Sequence, residues 1–245
     1  MFAGSLSVNP KISKFLGDEV QKISAVCKNI HFDIVVREVY ESEIQVEQNK
    51  SEDTVYAIEI DVTARVQMNN LMKNELFIHQ IPLNIRVDPF DGAPGPVLGE
   101  LLYVITPSDG QLREINLKSP TQVTATQPII TQLIDMKIPM DGTVEYQYRY
   151  RRWVRLYSDI SNKWFNGISN LLVNNFALET TFLIVNESGK FITVEPFHEG
   201  SNDFPIEAKN LGKGKLDAKV FNLSDWYPEK VVELRWKYNR YGHNN

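Results

Sequence analysis

Between residues 56 and 68 the chain alternates without a break. Tyr56, Ile58, Ile60, Val62, Ala64, Val66 and Met68 occupy one phase, and Ala57, Glu59, Asp61, Thr63, Arg65 and Gln67 the other. A β-strand sends successive side chains to opposite faces, so this spacing lines one surface with apolar groups; a helix would scatter them around its axis. A strand of that kind is not stable alone. It needs sheet neighbours, and its apolar face needs a cover.

The same period recurs along the chain. Phe32, Ile34, Val36 and Tyr40 predict an earlier strand, and Phe77, Ile81, Leu83, Ile85 and Val87 a later one. Pro82 cannot donate to a ladder, which places that strand at an edge or bulge. The Pro- and Gly-dense stretch 88–99 reads as a loop. Short strands are expected at 100–106, 112–117 and 121–126. Ile130, Ile134, Met136 and Ile138 alternate again, and Asp141-Gly142 separates them from Val144, Tyr146, Tyr148 and Tyr150. An Asp-Gly pair between two alternating runs predicts a hairpin. Further strand-like runs fall near 171–175, 178–186, 190–196, 204–209, 216–222 and 230–240, with turn-forming residues between them.

One segment has helical spacing instead. After Asn9 and Pro10, residues Ile12, Phe15, Leu16, Val20, Ile23, Val26 and Ile30 recur at three and four. Asn is a good N-cap and Pro suits the first helical position, so a helix is expected over about 10–29. No helical segments alternate with the strands, which argues against a parallel βαβ arrangement. The polar, non-periodic stretch 158–170 is the natural boundary. The expected architecture is all-β: an N-terminal arm and amphipathic helix (1–30), then two antiparallel β-sandwich modules of Ig-like or jelly-roll-like type at 31–157 and 158–245.

Composition narrows the function. The net charge of −5 argues against generic nucleic-acid or membrane-surface binding. No apolar run approaches the ~18–20 residues that cross a bilayer as a helix. The single Cys27 cannot form an intrachain disulfide, and residues 1–10 lack the pattern of a secretory signal. A cytoplasmic location, or a particle assembled in the cytoplasm, is the expectation. Motifs for zinc proteases, nucleophile elbows and phosphate-binding loops are missing. His31, His79, His198 and His243 are scattered. His198 lies near Glu195 and Asp203, a grouping that a polar turn between strands also produces. No cofactor and no metal site is expected.

Two features carry possible chemistry. Ile206-Glu207-Ala208-Lys209 resembles the Glu-x-Lys half of the PD-(D/E)xK nuclease signature. That resemblance implies acidic residues holding Mg²⁺ and a lysine positioning the attacking water. Glu195, twelve residues upstream of Glu207, is the acid that would complete the set with Lys209. The resemblance covers four residues, and the α/β core of that family has no counterpart in this chain's periodicity.

The second feature is Val144 to Tyr157. One face carries Val144, Tyr146, Tyr148, Tyr150, Val154 and Leu156, and the other Glu145, Gln147, Arg149, Arg151, Trp153, Arg155 and Tyr157. Arginines interleaved with aromatics suit stacking and bidentate recognition of anions. Arg235 and Lys237 share a face in the same style. An ordinary amphipathic strand, its arginines paired with acidic neighbours across a sheet, gives the same letters.

The sequence therefore predicts a non-catalytic binding or assembly protein. Its expected recognition residues are Arg149, Arg151, Trp153, Arg155, Tyr157, Arg235 and Lys237, and its expected partner is another protein or its own copies. Two alternatives stand beside this reading: a structural subunit of a larger particle (a virion, phage tail or secretion apparatus), and a Mg²⁺-dependent nuclease.

Overall fold

The structure is a computed structural model. It describes residues 25–43, 55–71, 77–86, 97–98, 100–106, 113–116, 129–155, 165–166, 177–187, 192–198, 205–212, 217–226 and 232–238. These residues are almost all strand, and no α-helix occurs among them. The strands are β1 (Ala25–Tyr40), β2 (Val55–Asn70), β3 (Phe77–Arg86), β4 (Val97–Leu98), β5 (Glu100–Thr106), β6 (Arg113–Asn116) and β7 (Ile129–Ile138). They continue as β8 (Thr143–Arg155), β9 (Phe165–Asn166), β10 (Ala177–Asn186), β11 (Ile192–His198), β12 (Lys209–Asn210), β13 (Asp217–Trp226) and β14 (Val232–Tyr238).

The largest sheet runs β12-β13-β10-β1-β2-β8-β5-β6, with β4 also on β8. A three-stranded sheet runs β11-β14-β9, and β3 and β7 form a two-stranded ribbon. Among the described residues the pairings are antiparallel except β1 with β10, which run parallel from Cys27↔Ala177 to Val36↔Asn186. That pairing joins segments on both sides of residues 157 and 158. The all-β expectation holds, and β1 draws its neighbours from both sides of the expected 157/158 boundary. Sequence proximity cannot reveal such a long-range parallel pair.

The alternation acts as expected on packing. On β2, Ile58, Ile60, Val62, Ala64, Val66 and Met68 are buried, with Ile30, Phe32, Ile34 and Val36 of β1 beside them. Phe182 of β10 stacks between Phe32 (centroids 5.0 Å) and Phe221 of β13 (4.5 Å). Val194, Val232 and Leu234 of the small sheet join this cluster, so that sheet packs on the apolar face of the large one. Fully burying each such side chain is worth ~1.5–3 kcal/mol. Lys219 of β13 adds a polar link: its Nζ bonds Glu195 of β11 and donates to the Val194 carbonyl at 3.1 Å.

Two sequence expectations change. Residues 25–30 belong to β1 rather than to a helix; residues 10–24 of the expected helix lie outside the described residues. β1 carries a bulge there. Cys27 pairs with Met68 and Asn29 with Gln67, leaving Lys28 as the extra residue. Ala25, Cys27 and Ile30 are consequently buried, whereas Val26, which the helical spacing set on one face with Ile30, is only half-buried on the other side of the bulge.

The second change is at Asp141-Gly142. The turn exists, with Asp141 at φ 48° and the Gly142 N–H donating to the Pro139 carbonyl at 3.0 Å. Its two strands do not pair with each other: β7 pairs with β3, and β8 with β2. The turn is a corner where a two-strand ribbon leaves the large sheet, from Asn69↔Thr143 on one side to Phe77↔Ile138 on the other. Asn70 fastens it, donating its N–H to the Gly142 carbonyl (2.8 Å) and its Nδ2 to the carbonyls of Ile138 (3.2 Å) and Pro139 (3.0 Å). Among the described residues β3 pairs only with β7, which fits the edge position inferred from Pro82.

Candidate functional site

The second face of the large sheet is polar. Across β1, β2 and β8 the odd-numbered residues stand on it in register: Arg37 faces Glu59, and Glu59 faces Trp153; Val35 faces Asp61, and Asp61 faces Arg151. Thr63 lies opposite Arg149, and Arg65 opposite Gln147.

Two carboxylates organise this face. Asp61 takes both β8 arginines. Arg149 donates through Nε to Oδ1 (2.8 Å) and through Nη2 to Oδ2, and Arg151 reaches Oδ2 through Nε (3.2 Å) and Nη2 (3.0 Å). Glu59 accepts from Arg37 (3.0 and 3.3 Å) and from the indole N–H of Trp153 (2.8 Å). Toward the other end, Asp33 meets Arg65 Nη1 at 2.7 Å and His31 Nε2 at 2.8 Å, and Arg65 Nε donates to Gln147 at 3.1 Å. Trp153 also packs with Tyr56 on buried Val39 and Ala57, a small apolar cluster on this face.

The electrostatics follow from these contacts. Burial works to raise the Asp61 carboxyl, but the hydrogen bonds and charges of Arg149 and Arg151 outweigh it and hold the group below the usual carboxylate range. Glu59 behaves alike: burial opposes ionisation, while Arg37, Trp153 and Arg151 favour it, and the net shift is downward. The hydrogen bond and charge of Asp61 raise Arg149 further. On the apolar face the sign reverses. Burial pushes the Cys27 thiol up to about 12 and raises Tyr146, Tyr148 and Tyr150. Cys27 thus stays protonated at neutral pH and acts as a small apolar group.

The structure brings Arg149, Arg151 and Trp153 together on one open face. Arg155 holds the next position of the same phase on β8, opposite Ala57. Tyr157 lies outside the described residues. Arg235 does not join them. It is buried in the small sheet, bonded to Glu233 at 2.7 and 3.0 Å, with its guanidinium 4.3 Å above the Phe197 ring. Lys237 sits on that same strand, opposite Thr193. Sequence reasoning missed Glu59, Asp61, Asp33, Arg37 and Arg65 as members of this surface. Their phase was readable; that β2 lies between β1 and β8 was not.

The residues of the nuclease-like stretch have different surroundings. Ile206 N donates to the Pro196 carbonyl at 2.7 Å, so residues 205–208 run beside β11. Glu207 and Lys209 are exposed, whereas the Glu195 carboxylate is bonded to Lys219. Among the described residues no group of three or more His, Cys, Asp or Glu side chains is placed to hold a metal ion. No helix among them is long and apolar enough to cross a membrane.

No family model matches the chain, and no curated protein matches it. Solved structures do. A protein described as a putative nutrient binding protein, from Legionella pneumophila, superposes with a TM-score of 0.50 at 8% identity, over 89% of this chain and 68% of its own. A protein described as a putative protease, from Parabacteroides distasonis, gives a TM-score of 0.49 at 9% identity; the chain covers 40% of its length. An M1 zinc metallopeptidase from Deinococcus radiodurans gives 0.34 at 10% identity, with 42% of its length covered. At these identities the likeness to the Legionella protein is one of fold.

Proposed function

We propose that the chain is a non-catalytic binding or assembly module, and that the polar face of its large sheet is the recognition surface for a protein partner. One observation carries this reading. Trp153 stands on the open face beside two arginines, and all three are fixed by carboxylates of β2 rather than left to sample rotamers. Tryptophan and arginine combine large contact area with directed polar groups, which is why they dominate binding hot spots. Side chains already held in place lose less entropy when a partner arrives.

The test is Arg151→Ala combined with Trp153→Ala in the native protein, with cross-linked partners recovered from its own cells. Loss of the partners with the fold retained supports the surface. Recovery of the same partners in the same amounts rules it out. A central anchor of this kind is worth ~2 kcal/mol or more of binding.

A further inference from the structure

The groups on this face differ in height. Arg149 and Arg65 are more than half exposed (55% and 53%), and Arg151 is half-buried, its side chain 43% exposed. The carboxylates that hold them are sunk beneath: Asp61 is 13% and Glu59 12% exposed, and Asp33 is a quarter exposed. By count the charges nearly cancel. By position a partner meets guanidinium groups first, because the compensating negative charge lies on the protein side of each ion pair. Asp61 is also shared by two guanidiniums, and Arg151 lies 3.7 Å from Glu59 as well, so both cations reach outward from carboxylates set below them.

Resting on the reading above, we infer that the partner offers this face an acidic polypeptide segment in extended form. Arg149 and Arg151 are two residues apart on one strand, ~6.6–6.8 Å along it. Alternate side chains of an extended peptide repeat at that same distance, so carboxylates at every second position reach successive guanidiniums. Trp153 continues the row by one more step and takes an apolar side chain. Arg presents a planar fork that binds carboxylates in pairs of hydrogen bonds, a geometry lysine lacks. A long polyanion such as a nucleic acid would face the whole chain's charge of −5, whereas a short segment feels chiefly charges within a screening length of ~8–10 Å.

The experiment measures binding of a short synthetic peptide with glutamate at alternate positions, of its glutamine counterpart, and of a single-stranded oligo-dT. The glutamate peptide should bind at least about tenfold tighter than either, a gap of ~1.4 kcal/mol. Arg149→Gln with Arg151→Gln should abolish that preference, and added salt should weaken it. Arg149→Lys with Arg151→Lys keeps the charge and should restore part of it, while melting temperatures confirm that each variant is folded. Equal binding of the two peptides, indifference to the glutamine substitutions, or tighter binding of oligo-dT would overturn the inference. The two readings fail separately. Partners lost from the Arg151→Ala, Trp153→Ala protein without any glutamate preference overturn the acidic class alone, whereas partners retained there overturn the surface itself.

Discussion

Along β8, neighbouring residues share one backbone and one set of ladder bonds, yet they have opposite roles. Val144 and Tyr146 are buried against β2 and the core behind it. Arg149 and Arg151, on the other phase, meet a carboxylate at the open surface. The apolar face gains free energy in proportion to area removed from water, a large term with little directional demand. The polar face gains little, because exposed ion pairs exchange hydration for contact nearly evenly. What it gains instead is order: each long side chain has one place to be. The comparison teaches that the first face accounts for the fold's stability and the second for its presentation of groups.

The sharpest way to break this comparison is to cut the apolar face at its most enclosed point. Phe182 is fully buried between two stacked rings, those of Phe32 and Phe221. Phe182→Ala should cost ~3–5 kcal/mol in denaturant unfolding, since both the transferred area and the residual cavity count against it. A loss below about 1 kcal/mol, the range of a surface ion pair, would show that the two faces do not differ as argued.

The corner between the two sheets offers a second test of intermediate size. A Cβ on Gly142 would lie 2.6 Å from Pro139 Cγ and 2.8 Å from the Pro139 carbonyl oxygen, which is backbone and cannot swing aside. Gly142→Ala should therefore destabilise by ~1–3 kcal/mol, as overpacking does. The same change should loosen the ribbon of β3 and β7, since Asn70 ties that corner to the large sheet. Hydrogen exchange at Asn70 and Gly142 would report it, and an unchanged melting temperature would show that the corner has slack.

These features were unequally legible in the sequence. Period two gave β1, β2, β7, β8 and β10 because it follows from side-chain geometry alone. The bulge at Lys28 was not legible, since one inserted residue puts Val26 and Ile30, four apart, on opposite faces of the strand. The Asp-Gly turn was visible, but a turn fixes only local backbone, and Asn70, seventy residues upstream of the corner it fastens, decides which strands it joins. The arginine row was visible as well. Its carboxylates were visible only as the polar phase of another strand, because strand order in a sheet is a long-range property. Arg235 shows the converse: its alternation matched that of Arg149, but the small sheet places it against Phe197 and Glu233, inside.

The smallest expected effect tests the polar face by acid. Asp61 and Glu59 are both held below their ordinary range in the folded chain by the cations around them. In the unfolded chain they return to about 3.9 and 4.3. A carboxyl with a depressed folded value binds its proton more readily when unfolded, so its stabilisation is complete above the unfolded value and is lost as pH falls through the folded one. The native protein should accordingly lose the contribution of this ladder below about pH 4. Asp61→Asn removes the charge at every pH. Its stability should fall short of the native chain's at neutral pH by about 1 kcal/mol or less, because Arg149 is largely exposed and its pairing is screened. The two curves should then converge as acid protonates Asp61 in the native chain. High salt at neutral pH should narrow the gap for the same reason acid does, by weakening the pair rather than the core. Curves that run parallel into acid would mean that Asp61 gains nothing from Arg149 and Arg151, and that their alignment on this face comes from the backbone register alone.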